Sequence, residues 1–266
     1  MAATAPPARS LLHALLHALR RAAHVSWQML NLGALVLALA ITPSSYRQPW
    51  RHLLTQQVLR AVLPLLPWFT LLAAVLSLVI VRIVLVTALS YGLSQFALEM
   101  VIRVLVIELI PLTAALAVAL RVTMPMASEL AQARRQGRLQ HQRAGSALRA
   151  EIAPRVLAGI FSVLLLAAVS SAVALLLAYL LAHGFTPWAL PRFTRMVGHV
   201  FSPVVALVFV LKTGALALAV SVVPIGSVLY GGDGPPDSTE LELSGLVRMF
   251  VVVLAVEVAA LAGNYL

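Results

Sequence analysis

Three ionisable residues stand where a charge is most costly. Lys212, the only lysine in the chain, sits in an apolar run from about Val200 to Tyr230, and Glu108 and Glu257 sit in two other apolar runs. On insertion scales an unpaired charge at the centre of a bilayer costs about 2.5–3.5 kcal/mol or more, so each of these groups needs a partner or a purpose. At a helical rise of about 1.5 Å per residue, Glu108, Lys212 and Glu257 lie about 10, 13 and 7 residues below the same end of their runs, which puts them in one layer. Lys212 is expected to pair with Glu108, with Glu257 or with both. Such a cluster either fixes helix register as a structural ion pair or forms a polar site in a cavity, for a headgroup or a moving gate.

Other chemistry is absent. The residues before the lysine are Val210 and Leu211, so no G-x-x-x-x-G-K-[ST] loop exists to cradle a nucleotide phosphate. Neither H-E-x-x-H nor G-x-S-x-G occurs. His13 and His17 have the i,i+4 spacing of metal ligands, but no third ligand is near and both fit the polar face of an amphipathic helix. The chain has no cysteine, which excludes disulfides, thiolate zinc sites, Fe–S clusters and cysteine nucleophiles. It is expected to be no enzyme, with no metal and no cofactor of its own.

The elements that would position the three charges follow from composition. Hydrophobic residues make up 61% of the 266 and charged residues 11%, with a mean hydropathy of +0.98. Soluble domains carry about 25% charged residues, so lipid must solvate most of this chain. The net charge of +10 comes from eighteen arginines and one lysine, and most arginines stand at the edges of apolar blocks. That distribution reads as membrane topology and excludes a nucleic-acid surface.

The expected fold is an all-α integral membrane protein with an N-terminal interfacial amphipathic helix and about five transmembrane helices. In the helix, about Ser10 to His24, leucines 11, 12, 15, 16 and 19 fall on one arc and His13, His17, Arg20, Arg21 and His24 on the other. It belongs to an N-terminal region 1–60. A transmembrane domain 61–266 follows, with spans at about 61–86, 98–125, 156–182, 200–230 and 243–264. The fourth span is expected to be broken by Pro203, Lys212 and Pro224, and His183 to His199 is expected to be a return loop. The segment Glu129–Arg155 carries six arginines and His183–His199 two, while Gly231 to Glu242 carries only acidic charges. The positive-inside rule therefore favours a cytoplasmic N-terminus and a periplasmic C-terminus. Arg103, Arg121 and Arg248 lie nearer span ends, where they are expected to snorkel.

The stretch from Glu108 to Gly159 also carries a resemblance. Glu108-Leu-Ile-Pro111, then Arg121, then Ala127-Ser-Glu129-Leu, and later Ala153-Pro154-Arg155-Val-Leu-Ala158 resemble the MlaE/YrbE family of ABC-transporter permeases. The spacing from Glu108 to Arg121 to Glu129 matches the family's E-L-G-P, A-G-R-x-G and A-E-L-G elements without a gap. Leu211-Lys212-Thr213 resembles the family's L-K-[ST], and Glu257 falls where an acidic residue is common in the last span.

The resemblance implies a permease subunit that moves phospholipid or another hydrophobic substrate between the inner and outer membranes of a bacterium. It implies a cytoplasmic ATPase that supplies the missing P-loop and uses the ATP, a periplasmic MCE-domain protein, and a second permease chain. Spans one and five would line an apolar lipid pocket near the dimer axis. Glu108, Lys212 and Glu257 would be polar elements close by. The segment 129–155, with Glu129, Arg134, Arg135, Arg138 and Arg143, would couple to the ATPase. The chain departs from the family in its glycines: Ile110, Leu120, Thr123 and Ala131 stand where glycine is usual. Its coupling segment is unusually basic. Both a divergent homodimer and a specialised half of a heterodimer fit these departures, and a scaffold that only anchors the ATPase and MCE subunits is the alternative to transport.

Overall fold

In the computed structural model the described residues are 27–39, 42, 48–92, 94–136, 151–230 and 238–265, and all the regular structure among them is helical. Helix α1 is Trp27–Leu39. Helices α2 (Gln48–Val62) and α3 (Leu65–Ser90) are separated by a turn at Leu63 and Pro64. A long helical rod follows as α4 (Ser94–Ile102), a π-helical segment (Arg103–Leu109), α5 (Ile110–Val118), a second π-helical segment (Ala119–Thr123) and α6 (Met124–Arg135). Then come α7 (Ala153–His183), α8 (Leu190–Val200), α9 (Pro203–Tyr230) and α10 (Ser238–Tyr265). Five helical stretches are long and apolar enough to cross a membrane, as expected. The amphipathic segment from Ser10 to His24 lies outside the described residues, as do Arg138 and Arg143.

Helix α7 is the hub. Its buried face carries Ala153, Ala158, Gly159, Ser162, Ala167, Ser170, Ser171, Ala174 and Ala178. Small residues let helices approach closely in a membrane, where apolar surface alone gives helices no reason to associate. Helices α2, α3, α5 and α9 all pack against this face, and α10 packs chiefly on α9. Two apolar cores result. One gathers Ala114, Val118, Leu130, Val156, Leu166, Leu216 and Met249. The other gathers Val81, Leu98, Ile107, Ile110, Ala178, Phe193 and Val200.

Two expectations need correction. The fourth span is not broken: α9 runs unbroken through Lys212 and Pro224, and Pro203 is its first residue. Proline removes one backbone donor, and burial among neighbouring helices keeps the helix continuous. The return loop from His183 to His199 is largely helix α8, whose Phe193 and Val200 are buried while Arg192 and Arg195 are exposed. Of the segment 129–155, Glu129, Arg134 and Arg135 stand on α6.

An addition to the expected fold is α1. At 13 residues it is too short to span. It buries Met29, Leu32 and Val36, one helical face, against α9, where a Cβ on Gly226 would come within 2.8 Å of Met29.

The π segments have a local cause. Pro111 cannot donate to Ile107, and its ring would meet that carbonyl in a regular helix. The turn widens instead, and the Ile110 N–H reaches back five residues to the Leu105 carbonyl. Pro125 does the same to Arg121, with the Met124 N–H bonded to the Ala119 carbonyl. Such widened turns recur at functional sites because they re-aim the residues they carry. Here they carry Glu108 and Arg121.

Candidate functional site

Lys212 is 3% exposed, and its ammonium group is bonded to Glu108 Oε2 and, at 2.7 Å, to Glu257 Oε1. The structure therefore brings together all three residues singled out by depth. They come from three separate elements: the first π segment, the middle of α9 and the last third of α10. The lysine side chain has no exposure, whereas those of Glu108 and Glu257 retain 19% and 14%. The second oxygen of Glu257 is buried without a hydrogen-bond partner.

The location follows from the two cores. Ile107 and Ile110 belong to one and Ala114 to the other, and on α9 Phe209 and Leu216 divide in the same way. The triad is a polar node on the seam between them. Thr213 beside it turns its hydroxyl to the Phe209 carbonyl at 2.7 Å, so that polar group is satisfied within α9. One cation between two carboxylates leaves formal charges of +1 and −2 at the node. Its chemistry is cross-linking and exchange: an ammonium has three donors and can shift between the two acceptors. Because α10 packs chiefly on α9, the Glu257 contact also ties the last helix to the long rod.

The residues expected to couple to an ATPase are differently placed. Arg134 Nη1 donates to the Val228 carbonyl at 2.5 Å and the Leu229 carbonyl at 3.2 Å. It thereby satisfies carbonyls at the end of α9 that have no partner within the helix, and a cation suits the negative end of the helix dipole. Glu129 faces Arg155, with Nη2 at 3.9 Å. Arg135 is exposed on α6. Arg103, Arg121 and Arg248 are exposed too. No pattern in the sequence marks the Arg134 cap, because its acceptors lie 94 and 95 residues away. The Glu129–Arg155 pair had one signal, two motif charges bracketing one segment.

The cap gives a prediction. Arg134→Ala is expected to destabilise the purified chain by about 1–2 kcal/mol, the scale of a partly buried hydrogen bond from a charged group. Arg135→Ala should leave the melting temperature unchanged. Thermal unfolding in detergent, with no ATPase present, makes the comparison, and equal melts for both variants would remove the capping role.

Taken together, these features define a multi-span helical membrane protein that carries a buried ion triad across three helices. The family pattern described as permease MlaE matches residues 54–262, and the chain belongs to that family. It is thus a permease of the ABC-transporter type. No protein among the curated sequences matches it.

Proposed function

We propose that this chain is the membrane subunit of an ABC system that moves phospholipid or another hydrophobic molecule between bacterial inner and outer membranes. A separate ATPase drives it, a periplasmic MCE-domain protein receives or delivers the substrate, and a second permease chain completes the translocation path. The observation that carries this reading is the buried Lys212–Glu108–Glu257 node inside a five-span MlaE permease. A charged cluster that ties the last span to the long rod is suited to a gate that re-forms as the helices move.

Two features support a pocket shared with a second permease chain. Spans α3 and α10 bury the smallest shares of their apolar windows, 28% and 17%, so both present apolar surface outside the single chain. Leu71, Leu72 and Val75 of α3 and Phe250, Val251 and Leu254 of α10 are exposed. Affinity capture of the intact chain followed by native mass spectrometry tests the assembly. An ATPase subunit and two permease chains are expected, identical or different, and recovery with neither would overturn the reading.

Orientation is tested on the same protein. Since the chain has no cysteine, single cysteines report cleanly. Arg135→Cys should react with a membrane-impermeant maleimide only after the cells are opened, and Trp188→Cys, 92% exposed beyond α7, should react in intact spheroplasts. The reverse pattern would place the N-terminus outside.

A further inference from the structure

The bundle end that carries Arg134, Arg135 and Arg155 also holds an open cleft of about 490 Å³, away from the triad. Its walls are the α2–α3 junction on one side and the second π segment with α6 on the other. Arg60 enters from the last turn of α2, Arg121 from the π segment, and Trp68 from the first turn of α3. Gln57, Met126 and Glu129 are also among the lining residues.

Two properties separate this cleft from an ordinary surface groove. First, its cations are uncompensated. Among the described residues the ion pairs are those of Arg155 with Glu129 and of Lys212 with Glu108 and Glu257, and neither Arg60 nor Arg121 has a hydrogen-bond or ion-pair partner. The one carboxylate in the lining, Glu129, is already drawn towards Arg155. Second, an apolar track leads out of the cleft. Trp68, Leu72, Val75 and Val79 recur at helical spacing on the exposed side of α3, with Leu71 beside them. Paired guanidiniums next to a tryptophan, opening onto an apolar stripe, fit a ligand with an anionic head and long chains. Guanidinium forks match phosphate oxygens, and basic pockets between transmembrane helices hold lipid headgroups.

We propose that this cleft binds the phosphodiester headgroup of an anionic lipid, drawn from the leaflet at the arginine-rich end of the bundle, with its acyl chains along α3. Arg60 and Arg121 hold the phosphate, Gln57 supplies a neutral donor, and Trp68 marks the boundary between head and chains. The acyl track shares Leu71, Leu72 and Val75 with the pocket proposed between the two permease chains and rests on that reading, whereas the headgroup cleft does not.

The test uses the full-length chain, stripped of co-purified lipid in detergent and examined by native mass spectrometry. Three probes are offered: dioleoyl phosphatidylglycerol, uncharged dioleoylglycerol and inorganic phosphate. Retention of phosphatidylglycerol is expected, and Arg60→Ala with Arg121→Ala should weaken it roughly 25-fold, from about fivefold per arginine near a lipid surface. The pair Arg82→Ala with Arg192→Ala, in a cleft at the opposite end, should leave it unchanged. Should the first alanine pair not purify folded, Arg60→Gln with Arg121→Gln reads the same loss. Undiminished retention in the substituted protein overturns the proposal, as does equal retention of the uncharged lipid. Equally tight binding of inorganic phosphate would make the cleft a phosphate site and overturn the assignment to lipid.

Discussion

Lys212→Met is expected to lower the stability of the isolated chain by about 3–5 kcal/mol, the usual cost of removing one partner from a buried ion pair. The loss of an ammonium leaves Glu108 and Glu257 facing each other, each with under a fifth of its side chain exposed. Glu257→Gln should cost less, because the Lys212–Glu108 pair survives it. The informative variant is the triple one, Lys212→Met with Glu108→Gln and Glu257→Gln. Replacing a whole buried ion cluster by neutral groups is often neutral for stability or better, so the triple variant should regain the melting temperature that the single one loses. If the triad serves the proposed transport, both Lys212→Met and the triple variant should lose substrate flux in vesicles reconstituted with a co-purified ATPase. A triple variant that is stable and transports normally would reduce the triad to a register lock.

That contrast shows how far the sequence could be read. Span existence was legible because insertion into lipid depends on local composition, and each of the five apolar runs carries its own signal. The triad was legible for a related reason: helical rise is constant, so depth can be counted from a span end, and an unpaired charge at that depth is too costly to stand alone. Whether Lys212 would take one carboxylate or both was open, and the structure has it bonded to both, at a seam between two cores that no single segment specifies.

What was not legible depended on neighbours. Pro224 and Lys212 looked like breaks in α9 because proline and a charge oppose a helix locally, yet burial against α5, α6 and α7 outweighs both. Segment 183–199 looked like a loop because Pro187, Pro191, Arg192 and Arg195 dominate its composition. Its one buried stripe, Phe193 and Val200, becomes visible only once the second core is in place to receive it. The helix-end contact of Arg134 was not legible because its acceptors belong to another helix, 94 and 95 residues away. Packing at the helix crossings was not legible either, because it depends on which small residues meet across two helices.

Gly159 shows where that packing is kept, and it carries the other large expected effect. A Cβ at position 159 of α7 would lie 2.5 Å from Ser221 Oγ of α9 and 2.9 Å from the Thr123 side chain of the second π segment. Thr123 brings a side chain to this crossing, so close approach rests on the glycine that faces it. Two effects of opposite sign then compete in Gly159→Ala. In an exposed helix the change would stabilise by about 0.8–1.0 kcal/mol through helix propensity. At this crossing the added methyl must push two helices apart, at about 1–3 kcal/mol for overpacking. Net destabilisation is expected, and Gly159→Val should cost more again. Adding Ser221→Gly to Gly159→Ala removes the nearest clash and should recover most of the loss, a coupling within the range of about 0.5–3 kcal/mol seen for residues in contact. Thermal melts of the three variants in one detergent make the measurement. A more stable Gly159→Ala protein, or strictly additive effects of the two changes, would show that α7 and α9 do not meet at this glycine.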